Sequence, residues 1–313
     1  MDKQKKFVSV VAYLNNREQL VGPFIGKVMG KCRDLFEKCE LILVDDASTD
    51  QSVTAAKECL SGAQGTGFMT SIVRMSVHQG LEVAMNAGRD LAIGDFVYEF
   101  DDVLVDYDPG LMEQTYEKCI SGFDVVSVSP DSKLRVSSSM FYRIYNKFSG
   151  TQAPIGRETF RLLSRRAVNR VEEMGSYIPY RKAVYMNSGL KTERITYTPI
   201  TIIGADRRTA GGRFGLGMDT LIYFTNVMEK ISFIISVVFF VIALGIIIYV
   251  ICSLFMDEHL SSGWVSTMGF MSIGFVGIFT LITIMMRYLS VIVNLIFKQK
   301  KYLIEDIEKI SGE

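Results

Sequence analysis

Through the first 130 residues, apolar runs of strand length alternate with segments whose apolar residues recur at every third or fourth position. FVSVVAYL (7–14), CELILVDD (39–46), SIVRMSV (71–77) and DFVYEFDD (95–102) are read as strands, and FDVVSVSP (123–130) as a fifth. Between them, NNREQLVGPFIGKVMGKCRDLF, STDQSVTAAKECL and QGLEVAMNAGRDLAIG carry helical spacing. Strands that alternate with helices predict an α/β fold with a mostly parallel sheet and helices on both faces. In such sheets ligands bind beyond the carboxyl ends of the strands. Those ends carry Tyr13, Asn15, Asp45, Asp46, His78, Gln79, Asp101 and Asp102.

Further along, the pattern predicts a helix over SSSMFYRIYNKFSG (137–150), a basic helix over TFRLLSRRAVNRVEEMG (159–175) and a strand over RITYTPITII (194–203). GADRRTAGGRFGLG (204–217) has no apolar period. It reads as a loop that offers Arg207, Arg208 and Arg213 to an anion, or equally as a basic linker beside anionic lipid.

The apolar pattern then changes scale. Residues 231–255 and 261–286 are each free of charged side chains. Each would extend roughly 35 to 40 Å as a helix, longer than the ~30 Å hydrocarbon core, so both are predicted to be transmembrane helices. The segment between them is acidic and both outer flanks are basic, with Lys230 on one side and Arg287, Lys298, Lys300 and Lys301 on the other. The positive-inside rule then places both termini and the N-terminal domain in the cytoplasm, on a multi-pass protein of the cell membrane. No apolar leader is expected at the basic start MDKQKK. The predicted organisation is a soluble domain over 1–216, an interfacial amphipathic helix over 217–230, the two spans, and a cytoplasmic tail over 287–313 that lies along the cytoplasmic interface or packs back on the domain. Gly269, Gly274 and Gly277 in the second span permit close helix packing and self-association.

Composition narrows the chemistry. The 313 residues are 49% hydrophobic, and formal charges cancel, with 34 basic against 34 acidic residues and no basic block for nucleic acid. Five scattered cysteines and two histidines argue against a disulfide framework or a zinc centre. The acidic run YEFDDVLVDYDP (98–109) is the densest candidate site: crowded carboxylates repel one another, and a divalent cation is the commonest reason a fold tolerates them, the alternative being a solvated acidic loop.

VSVVAYLNNREQL, ELILVDDASTDQS, HQGLEVAMNAGRDLAIGDFVYEFDD and FRLLSRRAVN, in that order, resemble a family 2 glycosyltransferase. The two C-terminal apolar segments make the chain most similar to polyprenyl-phosphate glycosyltransferases of the dolichol-phosphate mannose synthase type. The resemblance implies a GT-A-type Rossmann-like domain. It also implies an inverting transfer of one sugar from a nucleotide diphosphate sugar, by analogy a UDP-sugar, to a polyprenyl phosphate such as undecaprenyl phosphate. It places Ala12, Tyr13, Asn15, Asp45 and Asp46 at the nucleotide, with Asp45 at the base, and His78, Gln79 and Gly80 along the same pocket.

The family's Asp-any-Asp motif falls on Asp101 to Val103, so the second aspartate is missing. Asp101, Asp102 and Asp106 are then the candidate ligands for Mg²⁺ or Mn²⁺, and Asp101, Asp102 and Glu158 the candidate catalytic carboxylates. Arg161, Arg165, Arg208 and Arg213 are candidates for the acceptor phosphate. The departures at Val103 and around Glu158 leave open a second reading, a family member that has lost catalysis and acts as a membrane scaffold or regulatory partner. A third reading is a transferase with another lipid acceptor.

Overall fold

The computed structural model describes residues 3–62, 68–131, 143, 156–173, 180–200, 234–235, 238, 241, 263–297 and 302–310. The chain divides into two compact units. One comprises Met1–Asn146, Thr151–Leu216 and Gln299–Glu313, the other Lys147–Gly150 and Gly217–Lys298.

Among the described residues the first unit contains eight strands: β1 (Gln4–Leu14), β2 (Phe36–Asp45), β3 (Phe68–Met75), β4 (Phe96–Phe100), β5 (Val125–Pro130), β6 (Phe160–Ser164), β7 (Thr192–Tyr197) and β8 (Ile304–Lys309). They form one sheet in the order β7-β5-β6-β4-β1-β2-β3-β8. The pairs β1–β2, β1–β4, β2–β3 and β5–β7 are parallel, while β6 and β8 pair antiparallel to their neighbours. The central strands read as unbroken apolar runs because both faces are covered: Val8 to Leu14 in β1 and Leu41 to Val44 in β2 are buried.

The helices are α1 (Glu18–Leu35), α2 (Ser52–Gly62), α3 (Leu81–Leu91), α4 (Gly110–Ile120), α5 (Arg165–Glu173) and α6 (Arg181–Asn187). In α1 the buried set Val21, Phe24, Ile25, Val28, Met29 and Cys32 follows the helical period. In α3, Gly88 sets the approach to the sheet, since a Cβ there would lie 2.5 Å from the methyls of Val11 and Val44.

Two sequence expectations change. FRLL was assigned to a helix, but Phe160–Ser164 fills the gap between β4 and β5 as an antiparallel strand, and only Arg165–Glu173 is helical. The four residues from Phe160 to Leu163 are buried, which a one-sided helix cannot achieve but an interior strand can. Gly110–Ile120 adds a helix that the pattern did not reveal. The C-terminal tail packs back on the domain, one of the two arrangements expected for it: Ile304–Lys309 closes the open edge of β3.

In the second unit the described element is α7, a helix of 34 residues over Trp264–Phe297. Met271, Phe275, Ile278, Ile282, Met285, Met286, Leu289 and Ile292 are exposed along it. Only part of its side chains is described, and among the described residues no helix is long and apolar enough to cross a membrane. The predicted transmembrane hairpin is therefore not shown. The first predicted span lies almost wholly outside the described residues. So do the interfacial helix at 217–230, the helix expected at 137–150 apart from residue 143, and the loop with Arg207, Arg208 and Arg213.

Candidate functional site

The carboxyl ends of β1, β2, β3 and β4 lie along one edge of the sheet, and two polar constructions occupy it. The first is centred on Asp46, which is fully buried. Its carboxylate accepts hydrogen bonds from the Tyr13 hydroxyl (2.7 Å) and from the backbone N–H groups of Gln79 (2.7 Å) and Gly80 (2.8 Å). His78 Nδ1 lies 2.9 Å from the same carboxylate. The Asn15 amide donates to the Asp46 carbonyl at 2.8 Å. Asp46 thus ties the β3–α3 turn to the ends of β1 and β2, and Gly80, at φ +89°, supplies the backbone turn into α3 that other residues resist.

The chain around it is bent into unusual conformations. Asn16 and Ala47 have φ of 52° and 53°, costly for residues with a Cβ and held by Asn16 Oδ1 accepting the Thr49 N–H and Ser48 Oγ accepting the Asn16 N–H. Asp45, next to this bend, is buried, and burial pushes its carboxyl above the ordinary aspartate value; the Ser48 hydrogen bonds and the Arg74 charge offset that only in part.

The second construction is a buried ion cluster at the end of β4. Glu99 accepts from Arg161 and from Arg181, both at 2.7 Å, and from the Tyr185 hydroxyl at 2.8 Å. Asp101 accepts from Arg181 at 2.8 Å and Arg161 at 3.1 Å, and the Lys182 ammonium stands 3.5 Å away. Arg161 also donates to Glu158 (2.9 Å), and Arg181 to Glu82 (2.9 Å). Burial would push the Glu99 carboxyl up, but Arg181, Arg161 and Arg89 outweigh it and hold it below the usual range. Asp101 follows the same logic: burial is overridden by Arg161, Arg181 and Lys182, and its carboxyl is held well below the usual range.

Most predicted site residues meet at this edge, though not in the expected grouping. Ala12, Tyr13 and Asp46 are buried and support the surface from beneath, while Asn15, His78, Gln79 and Gly80 reach it. Asp101 and Glu158 join the ion cluster through Arg161.

The predicted cation ligands Asp101, Asp102 and Asp106 are not brought together. Asp102 forms a bidentate pair with Arg17, at 3.2 and 3.0 Å. Asp106 is buried and accepts from the Tyr197 hydroxyl at 2.8 Å. Among the described residues no three His, Cys, Asp or Glu side chains form a group that could hold a metal ion. Of the acids in the cluster, Glu158 Oε1 is a buried oxygen without a hydrogen-bond partner, but Asp101 is already faced by three cations. The residues present therefore do not fit a divalent cation held by this aspartate set.

The predicted phosphate arginines separate as well. Arg161 lies buried inside the ion cluster, each of its three nitrogens donating to a carboxylate. Arg165 sits at the opposite end of β4, donating to the carbonyls of Ala92 and Gly94 at 2.8 Å, because β6 runs antiparallel and carries it away from Asp101. Arg208 and Arg213 lie outside the described residues.

Sequence reading missed Arg17, Glu82, Glu99, Arg181, Lys182 and Tyr185. Glu99 gave a usable signal: an acid inside FVYEF, a strand otherwise apolar, must be paired when buried.

The strand order, the parallel centre and the acidic strand ends define a GT-A-like α/β protein. A crystal structure of glucosyl-3-phosphoglycerate synthase from Mycobacterium tuberculosis, in complex with Mn²⁺, UDP-glucose and phosphoglyceric acid, shares this fold. Its TM-score is 0.50 at 16% identity, over 69% of this chain and 78% of that one. The chain belongs to glycosyl transferase family 2, whose model matches residues 9–186.

Among curated relatives, it is 24% identical over 184 residues to the uncharacterized glycosyltransferase sll0501 of Synechocystis sp., covering 57% of this chain and 56% of that protein. It is 26% identical over 206 residues to the undecaprenyl-phosphate 4-deoxy-4-formamido-L-arabinose transferase of Pectobacterium carotovorum, covering 65% and 58%. With the dodecaprenyl-phosphate galacturonate synthase of Rhizobium johnstonii it shares 35% over 94 residues, covering 30% and 27%. The match thus spans little more than half the length of the first two proteins.

Proposed function

We propose that this protein is an inverting glycosyltransferase that moves a single sugar from a nucleotide diphosphate sugar, a UDP-sugar, to polyprenyl phosphate of the undecaprenyl type. The reaction takes place at the cytoplasmic face of the cell membrane. The observation that carries this reading is the joining, on one chain, of a family 2 domain over residues 9–186 with two uncharged apolar sequence segments, 231–255 and 261–286. Such segments support a place at the bilayer, where the long lipid acceptor resides. Relatives named for undecaprenyl- and dodecaprenyl-phosphate substrates support the acceptor class. Gly274 and Gly277 in α7 suit close packing with a second copy.

The chemistry asks little of a general base. A lipid phosphate is already an anion near neutral pH and attacks the anomeric carbon directly, while the bond to the nucleotide diphosphate breaks and negative charge grows on the leaving group. The protein must bind the nucleotide, hold the two reactants in line and neutralise that charge. The β1, β2 and β3 ends, locked through Asp46, serve the nucleotide, and the cluster around Asp101 faces the diphosphate.

The test is a screen of UDP- and GDP-sugars against undecaprenyl phosphate in vesicles, with and without EDTA. A lipid-extractable product that mild acid cleaves back to free sugar is expected, as for a sugar phosphodiester. Acid-stable product would point to another lipid acceptor. A second reading, a member that binds nucleotide but no longer transfers, is favoured by Val103 and by the saturation of Asp101; nucleotide binding without turnover for any donor would establish it.

A further inference from the structure

The residues around Asp101 do more than fail to gather a metal: they bring cationic side chains to its carboxylate. Three cationic groups contact Asp101, and they differ in access. Arg161 and Arg181 keep 1% and 0% of their side-chain surface exposed, whereas Lys182 keeps 9% and Asp101 itself 12%. Every nitrogen of the two guanidiniums donates to Glu82, Glu99, Glu158 or Asp101. Among the described residues Lys182 is held by one longer contact, 3.5 Å to Asp101, and an ammonium has three donors.

A cation with donors to spare, at the rim of a buried cluster, next to the acid at the end of β4, is placed to meet an anion arriving at this edge of the sheet. A divalent ion bound by Asp101 would sit among three positive charges, with Val103 where the resemblance expects a second carboxylate. Lys182 supplies one unit of positive charge at the same place.

We propose that Lys182, held against Asp101, is the resident counter-charge for the donor diphosphate, so that this site binds a nucleoside diphosphate without a divalent cation. Arg161 and Arg181 are positioning residues: they hold Asp101, and Asp101 aims the ammonium. The inference rests on the glycosyltransferase reading above and deepens it.

The test uses the full chain in detergent or nanodiscs and measures UDP, GDP and uridine binding by calorimetry in EDTA and again in Mn²⁺, with Mn²⁺ uptake followed by electron paramagnetic resonance. A nucleoside diphosphate is expected to bind with affinities within about twofold of each other in the two conditions, with no nucleotide-dependent uptake of Mn²⁺. Lys182→Met, which keeps the side-chain length, is expected to weaken diphosphate binding about tenfold or more and leave uridine binding unchanged; Lys182→Arg restores much of the loss. That split between UDP and uridine is one that a merely structural lysine would not produce.

Binding of UDP or GDP only in Mn²⁺, or wild-type affinity in Lys182→Met, would overturn the inference and leave the glycosyltransferase reading standing. Failure of both diphosphates to bind in either condition would overturn the donor-site reading itself, and this inference with it.

Discussion

The Gln79 side chain and the Leu303 backbone, far apart in the chain, exchange two hydrogen bonds: Gln79 Nε2 donates to the Leu303 carbonyl at 2.7 Å, and the Leu303 N–H donates to Gln79 Oε1 at 3.0 Å. Ser76 N–H donates to the same carbonyl at 3.2 Å, and β8 follows directly. The C-terminal tail therefore fixes the turn that Asp46 holds from the other side. Gln79→Ala is expected to cost about 1 to 2 kcal/mol in urea unfolding, the sum of two modest hydrogen bonds, and to weaken nucleotide binding. Ending the chain before Tyr302 should weaken it further, since the β3 edge loses its cover. Calorimetry on both variants checks this; unchanged nucleotide affinity in the truncated protein would show that the tail does not support the turn.

Glu99 balances two guanidiniums inside the sheet. Glu99→Leu keeps the strand apolar but leaves Arg161 and Arg181 buried and short of an acceptor, and is expected to destabilise the protein by about 3 to 5 kcal/mol. Glu99→Gln, which keeps an acceptor oxygen, should cost less. Urea unfolding of the two variants gives the order.

Asp45 predicts a pH signature. Burial raises its folded-state carboxyl above the ordinary 3.8, so the fold favours the neutral acid. That preference contributes stability fully below 3.8 and is lost as pH rises through the folded value, above which the ionised, buried carboxylate is a cost. Asp45→Asn keeps the neutral form throughout. It is expected to be more stable than the parent at pH 7, with the gain closing as pH falls through the raised folded value towards 3.8, while nucleotide affinity drops. Urea midpoints across that range, with binding measured at pH 7, check both signs.

The parallel centre of the sheet was legible because buried parallel strands are apolar on both faces and write themselves as unbroken runs. FVSVVAYL and CELILVDD could be read without any partner in view. FRLLSRRAV could not: its apolar residues fit a helix as well as a strand, and only the vacant place between β4 and β5 decided for the strand. The tail was ambiguous for a similar reason, since IEDIEK has too few apolar residues to declare itself, and the open edge of β3 made it a strand.

The site divides along the same line. Sequence alone determined which acids and polar residues stand at the strand ends, because strand ends follow from local pattern: Asp45, Asp46, His78, Gln79 and Asp101 are all there. Only the tertiary structure decided what each carboxylate faces. Adjacent residues at the end of a strand point in different directions, so Asp101 meets Arg161, Arg181 and Lys182 while Asp102 meets Arg17. Those cations come from α6, β6 and the start of α1, and no spacing along the chain records that they converge on the end of β4.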